Sequence, residues 1–393
     1  MRHDFTTRPD RAGTGSSKWS SMVEAGGDPA KGIVPLSVAD MEFVEAPEIV
    51  EALRSFASDA VFGYTEPTDS YYDACISWQT RRHGWTPSRD WMVLSPGVVP
   101  ALFNAVKCLT EPGDAIIIQP PVYYPFRWAA ERTGRDVIEN PLILDGDNRY
   151  LIDFDDLAEK AADPQARMLI LCSPHNPVGR VWDREELRRL VDICLENDVF
   201  IVSDEIHDGL IMPGYHHTTL MNVMTPDEWD RCMVCTAPSK TFNLAGCQCS
   251  NIFIPSGDVR ERFEHGFGMS AIESLNCFSY VACTAAYESC DAWLDELIDV
   301  IWTNHELVAD RLSSFRPEAT VFDLEGTYLQ WVDLRCLGLD ADRLESLMHE
   351  ADLYLDEGHL FGREGDGFER INLACPTSVI EESLDRLQHV LTI

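Results

Sequence analysis

Five apolar runs in this sequence are each followed by groups that can bind a ligand or react. Ser95-Pro96-Gly97-Val98 follows the first run and is typical of a turn that opens a helix, where backbone N–H groups bind an anion. The other four runs lead to an aromatic ring, an amide, a carboxylate and an amine: Tyr123, Asn176, Asp204 and Lys240. Because ligands of an α/β sheet bind outside the carboxyl ends of its strands, these groups are predicted to converge. Such a set suits a phosphorylated aromatic cofactor.

The amine of Lys240 is the group in this set that can react covalently. The chain has only five lysines, and Lys107 and Lys160 fall within amphipathic helical patterns, where a solvated side chain is the ordinary interpretation. Lys18 and Lys31 are predicted to lie in an irregular N-terminal region. Lys240 alone is predicted at a sheet edge among small residues, where it can form a Schiff base with a carbonyl group.

Taken singly, these residues also have ordinary structural explanations. Asp204 can cap a helix, and Asn176 can occupy the turn before Pro177. Tyr123 can be a half-buried aromatic residue, and a single lysine after a strand is usually structural or solvated. Their occurrence together at successive strand ends is what favours a functional site.

An alternation of strands and helices positions these groups. Amphipathic stretches separate several short apolar runs, which is typical of a mostly parallel sheet covered by helices on both faces. The fold class is therefore predicted as α/β, with a large domain over residues 48–288. Its seven predicted strands are Met92–Leu94, Ala115–Gln119, Asp136–Asn140, Met168–Cys172, Val199–Ser203, Met233–Thr236 and Asn251–Ile254.

The remaining residues, 1–47 and 289–393, are predicted to form a smaller α+β domain. A long helix over Ala292–Phe315 is expected to be shared by the two units. The C-terminal part alternates predicted strands with a helix around Asp340–Glu350 and a terminal helix from Val379. Those strands are Thr327–Asp333, Leu353–Asp356 and Glu369–Leu373.

Composition narrows the possible partners. The chain of 393 residues has 31 Lys+Arg against 66 Asp+Glu, a formal charge of −35, which disfavours nucleic acid and anionic membrane surfaces. No apolar run approaches the ~18 residues of a membrane span.

Thirteen scattered cysteines favour reduced thiols in a cytoplasmic protein. Cys232 and Cys235 form a C-x-x-C pair inside an apolar strand, so we expect core packing there and no metal site.

The motifs around these strand ends resemble the signature of fold-type I pyridoxal-phosphate enzymes of the class I/II aminotransferase superfamily. Further stretches resemble the MalY/PatB branch of cystathionine β-lyases and C–S lyases, and the resemblance runs from about Lys18 to the C-terminus. The segments that carry the superfamily likeness are Ser173-Pro174-His175-Asn176-Pro177-Val178-Gly179, Ser203-Asp204-Glu205-Ile206-His207 and Ala237-Pro238-Ser239-Lys240-Thr241-Phe242-Asn243-Leu244-Ala245-Gly246. Those that carry the branch likeness are Pro35-Leu36-Ser37-Val38-Ala39-Asp40-Met41-Glu42-Phe43, Val61-Phe62-Gly63-Tyr64-Thr65, Gln119-Pro120-Pro121-Val122-Tyr123 and Phe368-Glu369-Arg370-Ile371-Asn372.

The resemblance implies that the chain binds pyridoxal 5′-phosphate. Lys240 would form a Schiff base with it and later move the Cα proton, while Asp204 would pair with the pyridine nitrogen. Asn176 would hydrogen-bond the 3′ oxygen of the ring, and Tyr123 would stack on the ring face. The remaining cofactor contacts that the resemblance implies, to the phosphate and beside the 3′ oxygen, fall on Gly97, Val98, Ser239 and His207.

The same resemblance implies a substrate site and a shared dimer. Arg370 would hold the carboxylate of a small-molecule sulfur amino acid bidentately, with Asn176 and Ala39 beside it. Tyr64 would reach the phosphate of the neighbouring subunit, so a homodimer with shared active sites is expected. Ser37 stands where the family commonly has Trp, and Glu42 where it has Asp, which leaves the preferred substrate open.

The reaction implied by the branch is α,β-elimination, which converts cystathionine into homocysteine, pyruvate and ammonia. His207 lies where aminotransferases of the wider family carry a tyrosine, and this favours a lyase. Two alternatives stay open at this point: an amino acid aminotransferase, and a regulatory binding protein on the same scaffold.

Overall fold

The computed structural model of the chain describes residues 2–391, and its strands are short. In chain order they are β1 Met92–Ser95, β2 Ala115–Ile118, β3 Asp136–Glu139, β4 Ile143–Leu144, β5 Tyr150–Leu151, β6 Ala166–Cys172, β7 Phe200–Asp204, β8 Cys232–Thr236, β9 Ser250–Phe253, β10 Thr320–Val321, β11 Leu329–Asp333, β12 Asp356–Glu357 and β13 Phe368–Asn372.

The α-helices surround the two main sheets that these strands form. They are α1 Ser17–Glu24, α2 Pro47–Asp59, α3 Asp69–His83, α4 Val98–Leu109, α5 Pro125–Glu131, α6 Phe154–Ala161, α7 Arg184–Glu196, α8 Leu220–Val223, α9 Pro238–Thr241, α10 Gly257–Met269, α11 Cys277–Ser289, α12 Asp291–Phe315, α13 Ala341–Glu350 and α14 Thr377–Leu391. Among residues 2–391, none of these helices is long and apolar enough to cross a membrane.

Seven strands form one sheet in the order β1-β9-β8-β7-β6-β2-β3, which confirms the predicted α/β fold. Strands β2, β3, β6, β7 and β8 pair in parallel, whereas β9 runs antiparallel to both of its neighbours. The central strands are mostly apolar because both faces are covered, as Ile116 and Ile117 illustrate by entering separate hydrophobic clusters, whereas the edge strand β3 begins with Asp136 and ends with Glu139. Reversal of β9 brings its first residue, Ser250, to the edge where the parallel strands end.

A smaller domain carries the four-stranded antiparallel sheet β10-β11-β13-β12. The 25-residue helix α12 lies close to β10 and packs against helix α14. The strand predicted at Leu353–Asp356 is displaced: β12 is Asp356–Glu357, opposite Arg370 and Glu369 of β13. The prediction was wrong because the apolar run Leu353–Leu355 packs its side chains into the core rather than pairing in the sheet.

The N-terminal segment is more ordered than the sequence predicts. Lys18 was expected in irregular chain, but it lies in α1 and its side chain is fully buried. Its amine contacts Asp40 and Glu42 at 3.3 Å each, and Arg11 contacts the same two carboxylates at 2.9 and 2.7 Å. The positive charges of Lys18 and Arg11 therefore balance the two carboxylates of the loop that follows residue 36. A buried lysine of this kind cannot be recognised from local sequence, because its partners lie more than 20 positions away.

Candidate active site

A cavity opens at the edge of the seven-stranded sheet where the parallel strands end. It is the place that the strand-end argument predicts. Residues from the ends of β7 and β8, from the start of α4 and from the loop after Leu36 line it together. Of the predicted site residues, those on its wall are Ala39, Gly97, Val98, Tyr123, Asn176, Asp204, His207, Ser239 and Lys240.

Lys240 extends from the short helix α9 into this cavity. Its Nζ donates a 2.7 Å hydrogen bond to the backbone carbonyl of Ala39. Burial, and after it the positive charge of Arg370, lowers the pKa of the amine to about 8. A substantial fraction of this amine is therefore neutral at slightly alkaline pH, as a nucleophile or a proton acceptor must be.

Asp204 ends strand β7 and is buried at the cavity wall. Burial raises the pKa of its carboxyl group to about 7, against the opposing effects of the backbone N–H of Ile206 and of Lys240. The Ile206 N–H donates to Oδ1 over 3.1 Å, and no ion pair with a lysine or arginine within residues 2–391 stabilises the carboxylate. A ring nitrogen that carries a proton would supply the missing cationic partner.

Another part of the cavity wall is suited to an anion. Helix α4 begins at Val98 after the extended residue Gly97, and its first N–H groups have no partner within the helix. The helix dipole adds a partial positive charge at this end, and the Ser239 side chain lies on the same cavity wall. A Cβ at Gly97 would lie 3.2 Å from Pro100 Cδ, so a larger residue would crowd this turn.

Asn176 and Arg370 meet beside the cavity. The Arg370 Nη1 donates to the Asn176 Oδ1 over 2.9 Å, its Nη2 pairs with Asp356, and its guanidinium lies over the Phe361 ring. Burial lowers the pKa of Arg370 to about 10, which leaves it charged at neutral pH. Two of its five N–H donors are engaged, and the buried Nε has no hydrogen-bond partner within residues 2–391. Arg370 therefore keeps donors for a carboxylate.

His207 and Tyr123 complete the polar wall. Burial lowers the pKa of His207 to about 3, with Lys240 and Arg370 adding to the effect, so the imidazole is neutral at pH 7. Its ring packs edge-on against Tyr328 at 6.1 Å. Burial raises the pKa of Tyr123 above its ordinary value, so this phenol stays protonated. Both side chains face the cavity as uncharged groups.

Sequence reasoning missed the residues that hold the Ala39 loop in place. The Tyr328 hydroxyl donates to the Ala39 carbonyl over 2.8 Å, so that carbonyl accepts from two donors. Asn372 Nδ2 donates to the carbonyls of Val38 and Asp40 at 2.9 and 2.7 Å. Tyr328 lies next to strand β11, and Asn372 is the last residue of strand β13. The position of Asn372 at the end of the Phe368–Asn372 motif was the one sequence feature that could have identified it.

Several predicted features lie outside the cavity. Tyr64 is fully exposed on the surface of this single chain. Ser37 is half-buried and does not line the cavity, whereas Glu42 is buried among Arg11 and Lys18. Cys232 and Cys235 enter separate hydrophobic clusters on opposite faces of the sheet, so they cannot ligate one ion together.

Comparison with known proteins agrees with this geometry. The sequence model of the family described as aminotransferase class I and II matches residues 31–387. The chain belongs to this family. It is 40% identical over 390 residues to cystathionine beta-lyase PatB of Bacillus subtilis (strain 168), covering 99% of this chain and 100% of the relative. The resemblance to the MalY/PatB branch is thereby confirmed.

Solved structures give the same result. Cystalysin from Treponema denticola, which contains a pyridoxal 5′-phosphate cofactor, superposes with a TM-score of 0.97 at 45% identity, covering 100% of this chain and 99% of that one. The pyridoxal-phosphate-bound C–S lyase from Staphylococcus hominis superposes with a TM-score of 0.93 at 30% identity, with the same coverage of each chain. The predicted two-domain fold of a fold-type I enzyme is therefore confirmed.

Proposed function

We propose that this protein is a pyridoxal-phosphate-dependent carbon–sulfur lyase of the cystathionine β-lyase type. The net reaction consumes a sulfur amino acid and water and yields a thiol, pyruvate and ammonia, so cystathionine would give homocysteine. The observation that carries the proposal is the pair Lys240 and Asp204 on the wall of one cavity, whose lining includes an anion-binding helix start, with Arg370 bonded to Asn176 of the same wall. The relatives named above support the choice of reaction.

The residues of the cavity fit the cofactor by their chemistry. The start of α4 and Ser239 would hold its phosphate, the unpaired Asp204 would face its ring nitrogen, and Tyr123 would cover the ring. Asn176 and His207 would lie on the side of the ring oxygen. When bound, this cofactor supplies an electron sink for negative charge that develops at the Cα of an amino acid.

The chain's own groups would bind the substrate and move its proton. Arg370 would bind the substrate carboxylate through its remaining N–H donors and so orient the Cα–H bond. Lys240, with its pKa lowered by burial to about 8, would accept the Cα proton. The Ala39 carbonyl, which holds the Lys240 amine at 2.7 Å in this structure, would fix the place from which the amine acts. The C–S bond then breaks and a thiolate leaves Cβ.

We also propose the assembly and the location. Exposed Val61, Phe62 and Tyr64 form an apolar stretch that a second copy of the chain would cover, and Tyr64 would then reach the partner's phosphate site. Residues 48–288 would form the large domain and residues 1–47 and 289–393 the small one. Thirteen cysteines, all free among residues 2–391, suit the reducing cytoplasm.

A product assay tests the reaction. Purified holoenzyme is incubated with cystathionine, with and without 2-oxoglutarate. Pyruvate formed without added keto acid is the expected result and means elimination. Glutamate that appears only with 2-oxoglutarate would overturn the proposal in favour of an aminotransferase, and neither product would favour the binding protein.

A further inference from the structure

A second cluster of ionisable side chains lies in the smaller domain. Glu345 and His349 come from helix α13, and Glu357 comes from strand β12. One ligating atom from each of the three lies within 4.8 Å of the others. Glu345 and His349 are four positions apart and therefore share one face of the helix. All three side chains are half-buried.

A fourth carboxylate lies near this cluster, close enough for the charges of Glu357 and Glu345 to act on it. Glu369 of β13 lies directly opposite Glu357 in the antiparallel pair, so both side chains project from the same face of the sheet. Glu369 is 1% exposed, and both of its carboxylate oxygens are buried without a hydrogen-bond partner within residues 2–391. Burial, followed by the charges of Glu357 and Glu345, raises its pKa well above the ordinary value.

This face is separate from the active site. Side chains alternate along a strand, so Arg370, the neighbour of Glu369, projects to the other face, where it contacts Asn176 and Asp356. Glu369 therefore takes no part in the chemistry described above. Among residues 2–391, no lysine or arginine forms an ion pair with Glu345, Glu357 or Glu369. Three carboxylates close together without a cation are costly to bury.

We propose that Glu345, His349, Glu357 and Glu369 form a binding site for one divalent cation of the Zn²⁺ type. An imidazole with carboxylates is a typical ligand set for Zn²⁺, with metal–ligand distances of about 2.0–2.2 Å. In a tetrahedral site at those distances the ligand atoms lie about 3.3–3.6 Å apart, so shifts of less than about 1 Å by each side chain bring Glu345, His349 and Glu357 from within 4.8 Å to that spacing. Glu369, which lies outside this group of three, would turn toward the ion. Three carboxylates would more than neutralise the ion.

Such an ion would be structural. With four protein ligands the site is closed, and the ion would fasten strand β12 to helix α13. Strand β12 also carries Asp356, which pairs with Arg370 on the other face. The ion would therefore stabilise the strand pair that supports the guanidinium in the active site, without contacting the substrate.

Zinc binding by the holoenzyme tests the proposal. After dialysis against a chelator, the protein is equilibrated with Zn²⁺ and the bound metal is counted by mass spectrometry, with Mg²⁺ as the comparison ion. We expect one equivalent of Zn²⁺ that raises the melting temperature. Glu345→Gln and His349→Ala should each weaken that equivalent at least about 10–100-fold, as loss of even a supporting ligand contact does. The matched controls, exposed Glu350→Gln and His265→Ala, should bind like wild type.

The position of the bound Zn²⁺ distinguishes binding at this site from binding by the free cysteine thiols. Crystals of the holoenzyme soaked in Zn²⁺ should show an anomalous peak among the four ligands. Zinc found only at cysteines, equal binding by wild type and His349→Ala, or no binding by wild type would each overturn the proposal. If His349→Ala fails to fold, Glu369→Gln replaces it, because this neutral substitution is nearly isosteric and removes only the ability to ligate as an anion.

Discussion

Replacement of Lys18 by methionine should destabilise the protein far more than an ordinary lysine substitution. The Lys18 amine is fully buried and touches both Asp40 and Glu42, and the Glu42 side chain is also buried. Although burial opposes it, the hydrogen bond from Arg11 and the charge of Lys18 hold the pKa of Asp40 below its ordinary value. Lys18→Met would leave two carboxylates facing the single cation Arg11.

The size of the effect follows from the burial. Removal of one partner from a buried ion pair costs about 3–5 kcal/mol, and the remaining Arg11 places this case near 3 kcal/mol. An unfolding entropy of about 2.1 cal/mol/K per residue gives roughly 0.8 kcal/mol/K for a chain of this length. The melting temperature of Lys18→Met should therefore fall by about 4 °C. The Lys18→Met/Glu42→Gln double variant restores the charge balance and should recover part of the loss.

Calorimetry of the holoenzyme at one fixed protein concentration measures these shifts. The matched control is Lys31→Met, because Lys31 is a mostly exposed residue that pairs with Asp352 at 3.0 Å on the surface. Exposed pairs contribute 0 to about 1 kcal/mol, so the control should shift by about 1 °C or less. If Lys18→Met shifts no more than Lys31→Met, or if the double variant is less stable than Lys18→Met, the buried charge balance is not what stabilises the loop.

Four further outcomes concern the active site. Arg370→Lys should raise KM for the amino acid about 10–100-fold while the cofactor is retained, because one charged hydrogen bond contributes about 1.5–3 kcal/mol. Loss of the cofactor at unchanged KM would contradict a role of Arg370 in substrate binding. Asp204→Asn should slow turnover about 10²–10³-fold, and an unchanged rate would make Asp204 a structural residue. Burial raises the pKa of Asp204 to about 7, so the contribution of its carboxyl group to stability is present below pH 3.8 and is lost as the pH rises through 7. The melting temperature of cofactor-free Asp204→Asn should therefore exceed that of the wild type at pH 8 but not near pH 4. Mixed, reassociated Tyr64→Ala and Lys240→Ala subunits should regain activity, since one hybrid site keeps both residues; inactive hybrids of folded parents would exclude a shared site.

Residue types alone predict the large sheet and the groups at its edge. Parallel strands covered on both faces leave continuous apolar runs such as Ala115–Ile118, and the functional groups follow directly after them. The conformation of a strand end therefore depends on neighbours that are close in sequence. This is why Asn176, Asp204 and Lys240 can be assigned to one sheet edge from their positions in the chain, and all three lie on the wall of the same cavity.

Long-range contacts explain what could not be predicted. Lys18 resembles a surface lysine until Asp40 and Glu42 are placed around it. The run Leu353–Leu355 has the composition of a strand, but its side chains pack into the core while the sheet begins at Asp356. Glu369 has a charged side chain of the kind usually found at the surface, but it is buried in the sheet opposite Glu357. Each depends on tertiary packing that a local pattern does not contain.

The loop that carries Ala39 also sets an order of events during synthesis of the protein. Its hydrogen-bond partners follow it by 202 positions at Asn243, 289 at Tyr328 and 334 at Asn372. At translation rates of about 5–20 residues per second, Val38 waits about 17–67 s before Asn372 is made. The loop therefore lacks its Tyr328 and Asn372 partners when the last strand of the large sheet, which ends at Phe253, has already been made. A nascent chain that has just exposed Lys240 already carries the Ala39 carbonyl that receives its amine, and the loop that presents this carbonyl has all of these partners only when strand β13 has emerged from the ribosome.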